Sequence, residues 1–316
     1  MAESTRGQGI SLVSDKGVLI GVDWGTTSFR AALMDESGAI VGRVDGPHGL
    51  LSVQDRGFES VLDQTVASWE GRPGRLPIIA SGMVTSRTGW VETPYLPCPA
   101  GAAELAGALT RHVTPAGRTI GFVTGLSFRH GDGEPDVMRG EETQIAGLAL
   151  EGTRLAVMPG THSKWVRVTA GRIEGFRTAM TGDIFAAVKD HTVLRLTTAD
   201  RRPSAEAFSA GVVAGMADHG AGLLGKLFRL RAGGLLGDFD PATTAERLSG
   251  LLIGAEIAEA RSFAPDVEGP VLIVGGEALA ARYATAFNVL GMEAETAPAD
   301  AAFAGQFRIA QAAGLV

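Results

Sequence analysis

Cysteine is nearly absent from this chain, which has a single one, Cys98, among its 316 residues. One cysteine permits no intramolecular disulfide, so the composition fits a protein of the reducing cytoplasm. Long apolar runs are also missing: no stretch reaches the roughly 20 apolar residues of a membrane span, and residues 1–17 hold no apolar run of signal-peptide length. We therefore expect no membrane association and a disordered tail over residues 1–17.

Positive charge is not in excess, because 28 Lys and Arg face 35 Asp and Glu for a net charge of −7. Proteins that bind nucleic acid usually show a basic face, so the balance argues against that class. The charge balance does not argue against binding of a small anionic ligand, since backbone N–H groups and one or two cations can bind it. The segment Val271–Gly276 lacks the G-x-G-x-x-G pattern of dinucleotide-binding turns, the G-x-S-x-G motif is missing from the chain, and the six histidines show no metal-ligand spacing.

Glycine, by contrast, is abundant at 44 residues, and two Gly-rich turns stand in a repeated context. Each follows a short apolar run that predicts a buried strand, and each precedes a strand, a hairpin turn and a third strand. The repeat predicts a structural duplication. Its strands are predicted at Val18–Asp23, Phe29–Asp35 and Ala39–Val44, and again at Leu155–Met158, Lys164–Val168 and Ile173–Met180.

The remaining pattern mixes strands and helices, with apolar residues at three-to-four spacing in the helical segments. We place the boundary between two domains near residue 150, where a helix ends and the second repeat begins. Further strands are predicted at Leu76–Ala80, Thr119–Val123 and Val271–Val274, and helices at Glu141–Leu150, Ala205–Ala217, Leu223–Arg229, Thr244–Ser262, Ala278–Leu290 and Phe303–Ala313.

The two Gly-Thr turns have the composition of phosphate-binding loops. Glycine lets the backbone approach a phosphate, and N–H groups and hydroxyls then donate to its oxygens. Asp23, at a strand end, suits Mg²⁺ held through water. Ordinary β-turns are the alternative, but the repeat favours a phosphate clamp. The candidates are Gly25, Thr26, Thr27, Ser28, Gly160, Thr161, His162, Ser163 and Lys164.

Three other segments hold candidate residues. Glu141 and Glu142 begin an otherwise apolar helix, where paired acids serve as dipole complements or as a general base. Gly275, Gly276 and Glu277 follow a predicted strand and would lie near the adenosine if they share the cleft. Ser81–Trp90 has the glycine, hydroxyl and tryptophan content of a loop around a polar ligand, or of a surface loop with Trp90 in the core.

Several longer segments resemble a known family. The duplicated strand pattern is similar to that of the actin, sugar kinase and Hsp70 ATPase superfamily. More closely, the chain resembles the 2-dehydro-3-deoxygalactonokinases from about Val18 to its C-terminus. The segments that carry the resemblance are Ile20–Thr27, Gly82–Val84, Gly89–Trp90, Met138–Gln144, Met158–Trp165, Met180–Gly182 and Leu248–Glu256.

The resemblance implies an α/β fold of two RNase H-like domains of the actin-like ATPase and sugar kinase type, with an interdomain cleft. Residues 18–150 would bind the sugar acid and residues 151–316 the nucleotide. The implied reaction is phosphorylation of 2-dehydro-3-deoxy-D-galactonate at its 6-hydroxyl by ATP and Mg²⁺, giving 2-dehydro-3-deoxy-6-phosphogalactonate in galactonate catabolism. Gly140-Glu141 takes the place of a Gly-Asp pair of the superfamily, which makes Glu141 the base candidate ahead of Glu142 and Asp136.

Substrate contacts are expected in the first domain, and Arg30, Lys164 or Arg87 would offset negative charge. A kinase of another 2-keto-3-deoxy sugar acid and a non-catalytic ATP-binding regulator remain alternatives, and a homodimer is left open. The expected substrate-binding residues are Trp24, Ser81, Gly82, Met83, Ser86, Gly89, Trp90 and Arg139.

Overall fold

The structure, a computed structural model, describes residues 17–69, 76–195, 202–217, 220 and 222–316. The chain divides into two compact units. Unit 1 runs through Ser127 and adds Val137–Ala149 and Asp300–Val316, whereas unit 2 comprises Phe128–Asp136 and Leu150–Ala299. The predicted tail lies outside the described residues, except for Gly17.

Unit 1 is built on a six-stranded sheet with the order β3-β2-β1-β4-β7-β6. The first three strands form an antiparallel meander, and β4 and β7 add to it in parallel. The strands are β1 (Gly17–Trp24), β2 (Phe29–Asp35), β3 (Ile40–Gly46), β4 (Ile78–Ser81), β5 (Tyr95–Pro97), β6 (Thr110–Val113) and β7 (Thr119–Phe122), and the helices of this part are α1 (Phe58–Val66), α2 (Ala102–Gly107) and α3 (Glu141–Leu148). The chain passes between the units within β8 (Gly125–Arg129) and β9 (Pro135–Met138).

Unit 2 repeats the plan with a five-stranded sheet of order β12-β11-β10-β13-β14. Its first three strands are again antiparallel, and the next two add in parallel. The strands are β10 (Thr153–Met158), β11 (Ser163–Thr169), β12 (Arg172–Ala179), β13 (Val271–Ile273) and β14 (Ala294–Thr296), and the helices are α4 (Thr181–His191), α5 (Ala205–Met216), α6 (Leu223–Leu236), α7 (Thr244–Phe263) and α8 (Glu277–Val289).

The strand-turn-strand-hairpin-strand repeat predicted from the sequence is therefore present in both units. One helix is longer than predicted: α6 continues to Leu236 and ends where Gly237 takes a positive φ of 81°. The last helix, α9 (Ala301–Ala312), was expected in the second domain. Asp300–Val316 belongs instead to unit 1, because α9 packs against α3 through glycines on both helices.

Each unit has its own hydrophobic core. Trp24, Phe29 and Trp69 contribute the large rings of the unit 1 core, and Trp165, Tyr283 and Phe287 contribute those of unit 2. Burial of such rings is the main favourable term in folding. Among the helices of the described ranges, none has the length and apolar character that crossing a bilayer requires.

Much of the glycine content serves helix packing. Gly211 and Gly215 of α5 face Gly250 and Gly254 of α7, and a Cβ on any of the four would lie 2.1–2.3 Å from a carbonyl oxygen of the opposite helix. Each helix therefore needs hydrogen in place of a side chain along its contact face. The α3–α9 contact is closer still, since a Cβ on Gly305 would lie 1.8 Å from the Thr143 carbonyl oxygen.

For Gly305→Ala we expect the free energy of unfolding to fall by about 1–3 kcal/mol, the usual cost of overpacking. The two helices have to separate to admit the methyl group, and urea denaturation would measure the loss. Gly107→Ala on α2 is the matched control, because its Cβ would meet nothing within 4 Å. Equal stability of the two variants would contradict the packing argument.

Candidate functional site

Asp23 stands next to last in β1, where the strand approaches the first Gly-Thr turn. Its side chain is half-buried, and Oδ2 accepts hydrogen bonds from Nε (3.1 Å) and Nη2 of Arg30. In the parallel register of β1 and β4, Asp23 lies beside Ser81. The structure thus places a paired carboxylate at the carboxyl end of β1, and Arg30 is its partner.

Two glycines with positive φ bring the backbone close to Asp23. Gly82 has φ 92°, and a Cβ there would lie 2.9 Å from the Trp24 carbonyl oxygen and 3.3 Å from Asp23 Oδ1. Gly140 has φ 106°, and its Cβ would lie 3.1 Å from the Gly82 Cα. Both conformations favour glycine. The segment that leads into Glu141 therefore lies against the Gly82 turn, which lies against Asp23.

Glu141 and Glu142 begin α3 but have different surroundings. Glu141 is half-buried, and its Oε2 accepts the Arg139 N–H at 2.9 Å. Glu142 is 1% exposed, and its two oxygens accept the Gly140 N–H at 2.7 Å and the Thr143 hydroxyl at 2.8 Å. Burial, with the nearby Glu141 charge, raises the pKa of Glu142 to about 7. Glu142 is thus enclosed and braces the glycine before Glu141.

The raised pKa of Glu142 predicts a pH effect on stability. A carboxyl whose pKa is 4.5 when unperturbed and about 7 in the fold adds stability that is fully present below pH 4.5 and is lost as the pH rises through 7. The difference corresponds to roughly 3 kcal/mol. The glutamine of Glu142→Gln does not ionise, so the variant escapes this loss. We therefore expect the free energy of unfolding of the variant, relative to that of the parent protein, to increase by roughly 3 kcal/mol between about pH 4.5 and 8.

Urea denaturation of both proteins across that pH range measures the effect, and any pH-independent cost of the amide cancels in the comparison. Glu151→Gln is the control, because Glu151 is exposed. Its stability should run parallel to that of the parent. If Glu142→Gln also ran parallel, the raised pKa would be contradicted.

Asp136, the third base candidate, lies in unit 2. Its two carboxylate oxygens accept the N–H and the hydroxyl of Thr178 at 2.7 and 2.6 Å, and His130 Nε2 lies 3.6 Å from one of them. These contacts connect β9 to β12 and occupy both carboxylate oxygens of the third base candidate.

The first Gly-Thr turn presents its hydroxyls to solvent. Thr26, Thr27 and Ser28 are exposed, and Gly25 is half-buried with its N–H bonded to the Ser28 carbonyl at 2.9 Å. The Gly25 and Thr26 carbonyls accept the N–H groups of Leu50 and Leu51 at 3.1 Å each. These hydrogen bonds hold the backbone of the turn in place, while the residues that carry its hydroxyl donors are exposed. A phosphate-binding loop requires this arrangement.

The second turn shares this exposure for part of its length. Thr161 and His162 are exposed and Gly160 is half-buried. His162 Nε2 lies 2.7 Å from Asp183 Oδ2, and the Asp183 N–H donates to the Thr161 carbonyl at 3.1 Å. Asp183 on α4, which the sequence did not single out, therefore orients the turn.

Ser163 and Lys164 differ from expectation. Ser163 is fully buried, and its Oγ lies 3.0 Å from the Tyr283 hydroxyl. Lys164 is 5% exposed, and its Nζ donates to the His162 carbonyl at 3.3 Å. Both residues belong to β11, whose pairing with β10 and β12 draws them into the sheet. They brace the turn from inside and do not project from it as phosphate ligands.

The predicted adenosine residues lie beside this turn. Gly275, Gly276 and Glu277 are exposed, and a Cβ on Gly275 would lie 3.6 Å from the ring and the carbonyl of Pro159. The cause is the parallel pairing of β10 and β13, which ends both strands at one edge. The structure therefore brings the two Gly-rich segments of unit 2 together.

A cavity of about 280 Å³ opens next to the second turn. This volume is close to the lower end of the roughly 300–1,000 Å³ typical of small-molecule sites. Its polar edge includes an ion pair of 2.9 Å between Arg282 and Glu246. The lining residues are Gly160, Thr181, Gly182, Phe185, Lys189, Ala245, Glu246, Ser249, Leu252, Ile253, Leu279, Arg282 and Tyr283.

Two of the expected substrate contacts, Trp24 and Trp90, pack into the unit 1 core. The Trp24 ring is 1% exposed, and its N–H donates to the His48 carbonyl at 2.7 Å. Trp90 stacks on Phe58 at 5.9 Å between ring centroids. Large aromatic side chains contribute most by burial, so the structure corrects both residues from substrate contacts to core residues.

Three more expected substrate contacts have structural partners. Ser81 is 1% exposed and accepts Nε2 of Gln306 at 2.8 Å. A Cβ on Gly89 would lie 2.2 Å from the Val84 carbonyl oxygen. The Arg139 guanidinium donates to the Thr85 and Thr93 hydroxyls at 2.7 and 2.5 Å and stacks over Tyr95. These contacts stabilise the loop after β4 from inside the protein. Ser81, Gly89 and Arg139 are therefore engaged with other protein groups.

The rest of that loop is less enclosed at two positions. Met83 is half-buried and Arg87 is exposed, whereas Ser86 is buried with its hydroxyl 3.2 Å from that of Thr88. The loop is held by its own backbone hydrogen bonds, such as Gly89 N–H to the Ser86 carbonyl at 2.8 Å. Gly82, Met83 and Ser86 stay predicted substrate contacts, and exposed Arg87 is a further candidate.

The acids present fit Mg²⁺ held through water. Among the described ranges, no three His, Cys, Asp or Glu side chains cluster as a metal cage. Mg²⁺ commonly uses one or two carboxylates and fills its other positions with water and phosphate oxygens. Asp23 supplies one carboxylate, with Oδ2 on Arg30 and Oδ1 beside Gly82.

Comparison with known proteins shows similarity over nearly the whole chain. The profile of the family described as 2-keto-3-deoxy-galactonokinase matches residues 23–309. A protein of Rhizobium meliloti (strain 1021) named probable 2-dehydro-3-deoxygalactonokinase is 39% identical over 295 residues, which is 90% of this chain and 94% of that protein. The 2-dehydro-3-deoxygalactonokinase of Escherichia coli (strain K12) is 36% identical over 92% of this chain and 96% of its own length.

A solved structure agrees with the sequence relatives. The crystal structure of a protein from Sinorhizobium meliloti, described as a 2-dehydro-3-deoxygalactonokinase, superposes with a TM-score of 0.85 at 39% identity. The alignment covers 93% of this chain and 98% of that one.

Proposed function

This chain belongs to the 2-keto-3-deoxy-galactonokinase family, and from that premise we propose that it phosphorylates 2-dehydro-3-deoxy-D-galactonate at its 6-hydroxyl with MgATP. The product is 2-dehydro-3-deoxy-6-phosphogalactonate, in galactonate catabolism. The observation that carries the proposal is the family match over residues 23–309. The arrangement of the glycine-rich turns and acids agrees with it.

We propose further that the units are RNase H-like domains of the actin-like ATPase and sugar kinase type, with the interdomain cleft that the resemblance implies. The support is the strand order that the two sheets share and the Gly-Thr turn after the first strand of each. On this proposal unit 1 binds the sugar acid and unit 2 binds the nucleotide.

In the proposed mechanism, Glu141 is the general base. The 6-hydroxyl oxygen attacks the γ-phosphorus, its proton passes to the Glu141 carboxylate, and ADP leaves with the electrons of the broken P–O bond. Glu141 is half-buried at the start of α3, whereas both oxygens of Glu142 are bonded inside the protein. Glu142 then positions Glu141 through Gly140.

The phosphates are proposed to bind the two exposed turns, Gly25–Ser28 and Gly160–His162. Asp23 would hold Mg²⁺ through water, and the metal would neutralise charge on the phosphates. Exposed Arg87 at the loop after β4 is the cation we propose for the sugar-acid carboxylate, since guanidinium and carboxylate form strong paired hydrogen bonds.

The cavity beside the second turn is the proposed adenosine site. Leu252, Ile253 and Leu279 give it apolar walls, while Ser249 and Glu246 offer a hydroxyl and a carboxylate. Pockets of this kind bind a ring on apolar walls and orient it with a few polar groups. Gly275 and Gly276, at the adjoining sheet edge, complete the proposed nucleotide contacts.

The test is a coupled assay of ADP release. We expect 2-dehydro-3-deoxygalactonate to stimulate ADP formation, with the new phosphate ester on C6. A panel with the C4 epimer and other 2-keto-3-deoxy acids identifies the preferred acceptor. Stimulation by a different acid alone would move the proposal to that acid. If no acid stimulated ADP release while ATP still bound, the chain would be a non-catalytic ATP-binding regulator.

A further inference from the structure

An unusual buried acid, Glu256, lies in the middle of α7 within the apolar stretch Leu251–Ile257. It is 4% exposed, and no Lys, Arg or His in the described ranges pairs with it. A buried carboxylate without a cation is costly unless hydrogen bonds satisfy it. Burial raises the pKa of Glu256 above its usual value. The structure thus retains an acid at a position where an apolar residue would pack at less cost.

Three side chains from three other elements donate to this carboxylate. The Trp165 indole N–H donates to Oε1 at 2.7 Å, and the Tyr283 hydroxyl donates to Oε2 at 2.7 Å. The Thr181 hydroxyl also donates to Oε2. Ser163 joins the network through Tyr283, because its Oγ lies 3.0 Å from the Tyr283 hydroxyl. Glu256 therefore joins β11, α4 and α8 to α7.

Three members of this network, Ser163, Thr181 and Tyr283, adjoin parts of the proposed nucleotide site. Ser163 directly follows the exposed turn Gly160–His162. Thr181 precedes Gly182, where a Cβ would lie 2.6 Å from the Gly160 carbonyl oxygen and from the Thr161 Cα. Thr181 and Tyr283 also line the 280 Å³ cavity. The buried Glu256 carboxylate is thus linked to Ser163 and Thr181, which adjoin the turn. It is also bonded to two residues of the cavity lining, Thr181 and Tyr283.

We propose that Glu256 is a positioning residue for nucleotide binding: its carboxylate fixes the turn Gly160–His162 relative to the cavity, so that phosphates and base are bound together. This inference rests on the proposed function, because it assigns the turn and the cavity to one nucleotide. Glu256 acts through Ser163, Thr181 and Tyr283 and does not touch the nucleotide.

The substitution Glu256→Gln separates this role from simple packing. A carboxylate only accepts hydrogen bonds, whereas an amide accepts on its oxygen and donates on its nitrogen. The Trp165 N–H is a fixed donor, so it keeps the amide oxygen. The amide nitrogen then faces the Thr181 and Tyr283 hydroxyls, which must turn away from their present bonds. Shape and volume are retained while the hydrogen bonds to the turn and the cavity are reversed.

For Glu256→Gln we expect the KM for MgATP and the Kd for MgADP to rise about tenfold, the size of one lost hydrogen bond at a buried site. The KM for the sugar acid should stay within twofold, because unit 1 is unchanged. Glu259→Gln is the matched control: the same substitution on the same helix at an exposed position. It should leave both constants as they are.

If Glu256→Gln does not fold, the variants Ser163→Ala and Tyr283→Phe test the same proposal, because each removes one hydroxyl of the network. Each should raise the Kd for MgADP, measured by calorimetry. Combined with Glu256→Gln, Ser163→Ala should add less than its separate effect, because both act through one network.

The outcomes separate this inference from the proposed function. Unchanged nucleotide constants in these variants, whatever their melting temperatures, would reduce Glu256 to a core residue and overturn the inference alone. So would an equal rise in both substrate KM values. If the parent protein bound neither MgADP nor MgATP, the proposed function and the inference would fail together.

Discussion

Glu141→Gln will lower kcat by about 10²–10⁴-fold, the range that a positioned general base contributes. The amide keeps the length of the side chain but has no carboxylate to take the 6-hydroxyl proton. The groups proposed to bind the nucleotide are the two exposed turns and the cavity of unit 2, and Glu141 belongs to none of them, so the KM for MgATP should change little. Loss of kcat with KM retained is the pattern of a group that acts in the transition state. Steady-state ADP release measures both constants.

Two variants control the assignment. Glu151→Gln, at an exposed position, should match the parent protein. Glu142→Gln should lose less activity than Glu141→Gln, because Glu142 acts through the Gly140 N–H. A larger loss in the Glu142 variant would exchange the two roles. Near-parent turnover in both variants would remove this helix start from the chemistry.

The fold was predictable where the sequence has strong local patterns. The apolar strands before the Gly-Thr turns and the spaced apolar residues of α5, α7 and α8 gave elements close to those observed. The helices α1 and α4, of nine and eleven residues, were not predicted. Neither were the short elements β5, β14 and α2, which have three, three and six residues. They depend on neighbours distant in sequence, as when β5 pairs with β8, and such pairing leaves no local signal.

The candidate site was predictable for residue types and less so for orientation. Sequence reasoning selected the exposed turn residues Thr26 and Thr161 and the acids of α3. It could not tell that Ser163, one position past the turn, faces the core. The first four residues of β11 are all buried, so the strand is enclosed on both faces there, and the start of the strand was uncertain by one residue. The same limit applies to Trp24, because a ring after a strand can face the core or a ligand.

Supporting residues were missed because their sequence neighbours suggest plain packing. Gln306 lies in an apolar helix, yet its Nε2 donates to the Val22 carbonyl at 2.7 Å and to Ser81, the register partner of Asp23, at 2.8 Å. Glu256 lies in an equally apolar helix. A lone polar residue at an inward helical position was the available signal in both cases, since buried polar groups require partners.

Asp23→Asn is the second variant with a large expected effect: we expect kcat/KM to fall by about 10²–10³-fold, the usual loss when one preorganised electrostatic group is removed from an active site. Asparagine keeps the shape but removes the negative charge that would hold hydrated Mg²⁺. The apparent activation constant for Mg²⁺ should therefore rise, which a magnesium titration of ADP release measures.

The pair with Arg30 provides the discriminating comparison, because Asp23→Asn also weakens that contact. Arg30→Met breaks the pair but retains the carboxylate, so it should lower activity without shifting the magnesium dependence. Asp266→Asn is the matched control: Asp266 also pairs with an arginine, Arg167, at 2.7 and 2.8 Å on the surface of unit 2. It should match the parent protein. If Arg30→Met shifted the magnesium titration as far as Asp23→Asn does, Asp23 would orient the arginine and the metal role would belong to another group.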